Sequence, residues 1–202
     1  MRRPPEISRC VFASGNPGKL REMREILAGT GITIVAQSEL GIDGAEETGG
    51  TFTENAFLKA RHAARQSGLP AIADDSGLVV DALDGRPGVH SARFAGTGAT
   101  DEQNIARLLE ELLGVPERER RAHFHCTAVL VAPGGEFAPI IAEGDWPGLI
   151  LPAPAGTGGF GYDPVFFDPE SGKAAAQMSA QEKNAVSHRG KALRRLAVAL
   201  QP

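Results

Sequence analysis

The chain has 202 residues, of which 42% are hydrophobic and 23% are charged, and its formal net charge is −4. These values are typical of a folded globular protein with a substantial core. The acidic balance argues against a general binder of nucleic acids or membrane surfaces, and no stretch approaches the ~20 apolar residues of a membrane-spanning helix.

The chain opens with a basic segment, Met1–Ser8, that lacks the apolar region of a secretory signal. The two cysteines, Cys10 and Cys126, lie in apolar segments without a Cys-x-x-Cys partner. We therefore expect buried thiols and a cytoplasmic protein.

Strand and helix signals alternate through the first half of the chain. Short apolar runs bounded by turn residues predict strands, and apolar residues that recur every three or four positions predict helices. The first predicted elements, in chain order, are a strand in RCVFAS, a helix in KLREMREILAG and a strand in ITIVAQ. A helix in TENAFLKARHAARQSG, which ends at Gly68, comes next, followed by two short strands around the acidic turn of PAIADDSGLVVDAL. The last is a helix in TDEQNIARLLEELLG, which begins with a capping box of Thr100 and Gln103.

The second half predicts an antiparallel hairpin around the Gly-Gly of AHFHCTAVLVAPGGEFAPIIAEGDWPGLIL, with Trp146 in the core. A glycine-rich loop, PAPAGTGGFGYDP, then leads to a short strand in VFF. One or two helices complete the chain, and Ser179 and Glu182 have capping-box spacing at their start. We expect one α/β domain, residues 1–202, with two lobes around a long central mixed β-sheet flanked by helices, and with a cleft between the lobes.

The turn SGNPGK, Ser14–Lys19, joins the first strand to the first helix. Glycines expose backbone N–H groups near the N-terminus of a helix, which attracts anions, and Lys19 adds a full positive charge. The turn is not a Walker P-loop, because Ala13 and Leu20 stand where that motif needs Gly and Ser or Thr. It indicates a phosphate site of another kind, and a plain turn with a solvated lysine is the alternative.

Two acidic segments are flanked by glycine: Glu46 and Glu47 lie in GAEETGG, and Asp74 and Asp75 lie in ADDSG. The alternative to a site is surface acid. Two like charges ~4 Å apart cost about 4 kcal/mol at an effective dielectric near 20, so carboxylates and a triphosphate share a pocket only around a cation. Mg²⁺ is the default choice, since it accepts one or two carboxylates together with phosphate oxygens.

The run GTGGFG formally matches the dinucleotide-binding pattern G-x-G-x-x-G, but a strand follows it where that motif needs a helix. Its glycines let the backbone approach a flat ligand, while Phe160 offers a ring for a base and Asp163 a carboxylate. In the tail, Lys183, His188 and Arg189 are hydrogen-bond donors within two helical turns. Such donors would admit a 6-oxo purine and reject adenine. A purely structural loop and a solvated basic helix are the alternatives.

In this order the segments resemble the inosine/xanthosine triphosphate pyrophosphatase family over about residues 9–200. The resemblance rests on SGNPGK, AEETG…TFTENAFLKA, IADDSGLVVDALDGRPGVHSARFAG, PAGTGGFGYDPVFF and EKNAVSHRGKAL. It implies an ITPase-like (Maf/Ham-type) fold, a homodimer and Mg²⁺ dependence. The implied reaction is hydrolysis of ITP, dITP or XTP to the nucleoside monophosphate and pyrophosphate.

The same resemblance implies a set of site residues. Asp75 would be the proton acceptor and a metal ligand, Glu47 a second ligand, and Lys19 would act with Asp75 in catalysis. For the triphosphate, the implied binding residues are Ser14, Gly15, Asn16, Pro17, Gly18 and Lys19. Lys59 would be a further phosphate contact, and Ser76 would contact the substrate. For the base and sugar, the implied residues are Phe160, Gly161, Tyr162, Asp163, Lys183, His188 and Arg189.

Two rival functions stay open. One is a pyrophosphatase for other modified nucleotides, and the other is a nucleotide-binding regulator without catalysis. The pair Asp74–Asp75 and Glu47 argue against the regulator, since acids around a polyanion do little for a protein that only binds it.

Overall fold

The computed structural model describes residues 7–200. The interpretation of the basic segment Met1–Ser8 therefore falls mostly on residues outside the described range. Five α-helices and seven β-strands lie within the described range. The helices are α1 Pro17–Ile26, α2 Phe52–Ser67, α3 Asp101–Glu111, α4 Ala180–Val186 and α5 His188–Ala199. The strands are β1 Arg9–Phe12, β2 Thr33–Ala36, β3 Ala71–Val80, β4 Arg121–Val131, β5 Ile140–Ile150, β6 Phe166–Asp168 and β7 Lys173–Ala174.

The strands form one sheet in the order β2-β1-β3-β4-β5-β6-β7. β1 pairs in parallel with β2 and β3, whereas β6 is antiparallel to both β5 and β7. The mixed sheet expected from the sequence is therefore confirmed.

The predicted hairpin is formed by β4 and β5, which are neighbours in the sheet. The N–H of Ile150 donates to the carbonyl of Arg120 at 2.9 Å, and Asp145 binds His125 further along the pair. Because partner numbers fall on one strand as they rise on the other, the strands run antiparallel.

The prediction of two short strands around an acidic turn at PAIADDSGLVVDAL is wrong. β3 runs through this segment without interruption, and Asp74 and Asp75 are buried inside it. A strand can carry two buried carboxylates when cations pair with both, as the ion pairs described below do here.

Three helix ends lie where local signals predict them. Thr100 with Gln103, and Ser179 with Glu182, form complete capping boxes at α3 and α4. α2 ends at Gly68, whose φ of 67° is left-handed and therefore favours glycine. The tail forms two helices, because the extended backbone of Ser187 separates α4 from α5.

Residue contacts divide the described chain into two compact units. The first unit comprises residues 7–75, 126–144 and 189–200, and the second comprises Ser76–His125 and Asp145–His188. β3, β4 and β5 each begin in one unit and end in the other. Within residues 7–200, no helix combines the length and apolar character needed to span a bilayer.

Each unit has its own apolar core. Cys10 and Cys126 are both fully buried in the largest cluster of the first unit, which confirms the expectation of buried thiols. In the second unit Trp146 is 2% exposed and packs near Phe124 and Phe166, as expected of a core residue.

Candidate active site

The SGNPGK turn is closed by its own asparagine. Asn16 is the N-cap of α1, and its Oδ1 accepts the N–H groups of Gly18 at 2.8 Å and Lys19 at 3.1 Å. Pro17 occupies the first helical turn, where its missing N–H costs nothing. Two of the backbone donors predicted to be accessible are thus capped, and the cationic part of the turn is the Lys19 side chain.

Lys19 binds the first of the two adjacent aspartates. Its Nζ lies 3.0 Å from Asp74 Oδ2, and Arg189 Nε lies 3.1 Å from the same oxygen. The other side of the Arg189 guanidinium binds Glu22 on α1. Burial alone would raise the pKa of Asp74, but the charges of Lys19 and Arg189 outweigh it and hold that pKa well below its usual range. Asp74 is therefore a fixed anion that anchors Lys19.

Asp75 faces a different lysine. Lys59 Nζ, on α2, lies 2.9 Å from Asp75 Oδ1 and 2.8 Å from Glu47 Oε1, so one ammonium joins both carboxylates. Burial raises the pKa of Asp75 and outweighs the attraction of Lys59. A carboxylate with a raised pKa is a better proton acceptor, which suits the role predicted for Asp75.

Asn55 links Asp75 to the acidic loop and was missed from the sequence. Its Nδ2 donates to Asp75 Oδ2 at 3.3 Å, and its Oδ1 accepts the N–H of Gly49 at 2.8 Å. The available signal was an amide at a buried helical position, beside the alanines that pack α2 against the sheet. Glu22 was also missed from the sequence, and the available signal was a carboxylate on the buried side of α1.

These contacts bring together, within the first unit, the lysines and acids that stand far apart in the sequence. The cluster consists of Lys19, Lys59, Glu47, Asp74 and Asp75. In residues 7–200, no three His, Cys, Asp or Glu side chains form a group that could hold a metal ion by themselves.

In the second unit, the predicted base-binding residues form a compact cluster. Asp163 Oδ2 accepts the N–H of Phe160 at 2.9 Å and the ammonium of Lys183 at 2.5 Å. That ammonium lies 4.5 Å from the centroid of the Phe160 ring. A Cβ at Gly159, where φ is 75°, would lie 2.1 Å from Asp163 Oδ2, so this turn requires glycine. The glycine-rich loop thus places an aromatic ring, an acid and a cation together.

The remaining predicted residues have other surroundings. The His188 ring is 4% exposed and stacks on Phe124, with centroids 4.7 Å apart. The Tyr162 hydroxyl donates to the carbonyl of Ser91 at 2.8 Å. Ser76 follows Asp75 on β3 and is half-buried. Ser14 accepts the N–H of Asn16 through its hydroxyl at 3.2 Å.

Comparison with known proteins gives consistent matches over nearly the whole chain. The sequence profile of the Ham1 family matches residues 10–199. A dITP/XTP pyrophosphatase of Shigella flexneri is 56% identical over 96% of this chain and 98% of that protein. A dITP/XTP pyrophosphatase of Pectobacterium atrosepticum is 57% identical over the same shares. The solved structure of a HAM1 protein from Coxiella burnetii superposes with a TM-score of 0.87 at 48% identity, covering 96% of this chain and 98% of that one.

Proposed function

This chain belongs to the Ham1 family, and we propose that it hydrolyses deaminated purine nucleoside triphosphates (ITP, dITP and XTP) to the monophosphate and pyrophosphate. The observation that carries the proposal is the cluster of Lys19, Lys59, Glu47, Asp74 and Asp75. Two cations suit a polyphosphate, and the acids add the means to activate water that a simple binding site would not need.

In this mechanism the lysines bind the triphosphate and stabilise charge that develops on it. Asp75 accepts a proton from a water molecule, or orients it, as the water oxygen attacks the α-phosphorus. The bond from that phosphorus to the bridging oxygen breaks, and pyrophosphate leaves with the bonding electrons. Asp74 keeps Lys19 in place through the reaction, because its own charge is fixed by Lys19 and Arg189.

We assign Mg²⁺ to the carboxylates of Asp75 and Glu47. Both already converge on one cation, the Lys59 ammonium, and a pair of carboxylates is a donor set that Mg²⁺ uses together with phosphate oxygens and water. When bound, Mg²⁺ would neutralise phosphate charge and act as a Lewis acid. The residues present fit the ion, although they do not complete its shell alone.

We assign the triphosphate to Ser14–Lys19 and Lys59, with Ser76 as a further contact. The base and sugar are assigned to Phe160–Asp163, Lys183 and His188. The ring of Phe160 supports stacking, and Asp163 and Lys183 supply an acceptor and a donor at one edge of that ring. Arg189, predicted to contact the base, has its guanidinium on Asp74 and Glu22, so we leave its substrate contact as a prediction.

The proposal is tested by incubating the protein with ITP, GTP and ATP at equal concentration, with and without Mg²⁺, and separating products by HPLC. A panel of modified pyrimidine and methylated nucleotides is assayed in the same way, and ITP binding is measured by calorimetry. We expect IMP and pyrophosphate from ITP, little turnover of ATP or GTP, and loss of activity with EDTA. Tight ITP binding without pyrophosphate release would favour the regulator, and preferential turnover of modified pyrimidine or methylated nucleotides would favour the other rival.

The proposal also includes the homodimer that the family resemblance implies and the cytoplasmic location that the sequence predicts. Two buried, reduced cysteines are consistent with a reducing compartment. Light scattering coupled to size exclusion tests the dimer, which predicts a mass of about twice the 21.2 kDa of one chain.

A further inference from the structure

A residue outside the motifs holds the loop that carries Phe160. Asp101 is the first residue of α3, and its Oδ2 accepts the N–H of Gly161 at 2.6 Å. Sixty residues separate the two along the chain, and Asp101 itself is exposed. Gly161 lies between Phe160 and Tyr162, so this bond fixes the backbone beside the proposed stacking ring.

The start of α3 is a firm support for such a contact. The capping box of Thr100 and Gln103 orders the first turn. One turn further, Asn104 accepts the N–H of Ala95 at 2.8 Å and donates to the carbonyl of Ala92 at 3.2 Å. Asp101 therefore projects from a helix end that is held by its capping box and by the hydrogen bonds of Asn104.

Other elements also anchor the loop, and Lys183 on α4 does so through its ion pair with Asp163. The N–H of Gly158 donates to Ala176, and the Tyr162 hydroxyl donates to Ser91. Between those two points Asp101 supplies the bond at Gly161. Its charge also reaches the next side chain, because burial raises the pKa of Tyr162 and the negative charge of Asp101 raises it further.

We propose that Asp101 is a positioning residue for the purine base. By holding Gly161, it sets the orientation of the Phe160 ring and of the Asp163 carboxylate that the base would contact. The inference rests on the proposed function, since it assigns base recognition to this loop. Asp101 is not among the residues assigned to the triphosphate or to the lysine–carboxylate cluster, so its effect belongs to substrate affinity and selectivity.

Three variants test the role. Asp101→Ala removes the acceptor and the charge, Asp101→Asn keeps an acceptor oxygen, and Glu102→Ala is the matched control. Glu102 is exposed in the same helical turn and its side chain hydrogen-bonds Thr100, so its loss changes the charge and capping of the helix end while the acceptor of the Gly161 N–H stays in place. Steady-state kinetics with ITP and ATP are combined with hydrogen–deuterium exchange of peptides spanning residues 156–165.

For Asp101→Ala we expect the KM for ITP to rise about fivefold to tenfold, the size of one lost charge-assisted hydrogen bond, with kcat changed by less than about threefold. Backbone exchange in residues 156–165 should become faster. Asp101→Asn should restore most of both properties, and Glu102→Ala should match the wild type.

The outcomes separate the two proposals. A wild-type protein that does not turn over ITP would overturn the proposed function and with it the role in base binding. An active wild type, with an unchanged KM and unchanged exchange in Asp101→Ala, would overturn the positioning role alone. Equal changes of KM and exchange in Glu102→Ala would also overturn the positioning role, because the cause would then be the charge and capping of the helix end and not the bond to Gly161.

Discussion

At the scale of single residues, two adjacent aspartates have opposite electrostatic settings. Side chains alternate along a strand, so Asp74 meets Lys19 and Arg189 whereas Asp75 meets Lys59. The pKa of Asp74 is lowered and that of Asp75 is raised. This difference supports the proposed division of roles, with Asp74 as anchor and Asp75 as proton acceptor, which ADDSG alone leaves open.

Replacing Asp75 with Asn should remove the proton acceptor while keeping the shape of the side chain. General bases contribute roughly 10²- to 10⁴-fold, so we expect kcat for ITP to fall by about that factor. The melting temperature should stay close to that of the wild type, because Lys59 keeps its ion pair with Glu47. Pyrophosphate release and thermal denaturation measure the two effects, and Asp81→Asn, an exposed acid just after β3, is the control. Turnover like that of the wild type would exclude Asp75 from the mechanism.

Replacing Asp74 with Asn should instead affect stability. It leaves Lys19 and Arg189 without their shared carboxylate, and breaking a buried pair costs about 3–5 kcal/mol. The pKa of Asp74 is lower in the folded protein than in the unfolded chain. The ion pairs of Asp74 therefore add fully to the free energy of unfolding above about pH 4, and add less as the pH falls below that value. Below about pH 4, the difference between wild type and variant should narrow by about 1.4 kcal/mol per pH unit. Urea unfolding at pH 7, 5 and 3 measures it, and a constant difference would contradict this assignment.

At the scale of elements, Arg189 connects three of them. It lies on α5, binds Asp74 on β3 and binds Glu22 on α1. The sequence interpretation placed Arg189 at the base, because a basic helix near a nucleotide site predicts recognition. The buried partners of its guanidinium could not be predicted, since they lie 115 and 167 residues away.

Arg189→Ala should therefore lower the free energy of unfolding by about 3–5 kcal/mol, because Asp74 and Glu22 each lose a buried cationic partner. Arg194→Ala, an exposed arginine on the same helix, should cost less than about 1 kcal/mol and serves as the control. Urea denaturation measures both variants. If the two arginines proved equally dispensable, the buried network would not stabilise the fold.

Local signals predicted the elements better than distant contacts did. The capping boxes at Thr100 and Ser179 follow from spacing alone, because hydrogen bonds across three residues define them. The continuity of β3 was missed because Asp74 and Asp75 suggest a turn unless their cationic partners are known. Neither sequence segment predicts the contact between Asp101 and Gly161, because the two residues lie 60 positions apart. Motif order nonetheless indicated correctly that the SGNPGK lysine and the ADDSG acids meet.

At the scale of the whole molecule, the two units have separate cores but share strands. Cys10 and Cys126 lie in the core of the first unit, and Trp146 lies in that of the second. β3, β4 and β5 each contribute residues to both units, and all three belong to the one sheet. The sequence prediction of a single domain accordingly implies one unfolding transition.

This implication can be measured with natural probes, because the chain has one tryptophan and two cysteines. Burial raises the pKa of Cys10 to about 12 and raises that of Cys126 as well, so neither thiol should react with a thiol reagent at pH 8 in the folded protein. We expect both thiols to become reactive at the urea concentration where Trp146 fluorescence shifts, since coincident transitions mark two-state unfolding. Thiol exposure well before the fluorescence change would show that the first unit unfolds alone, and the 202 residues would then behave as two domains.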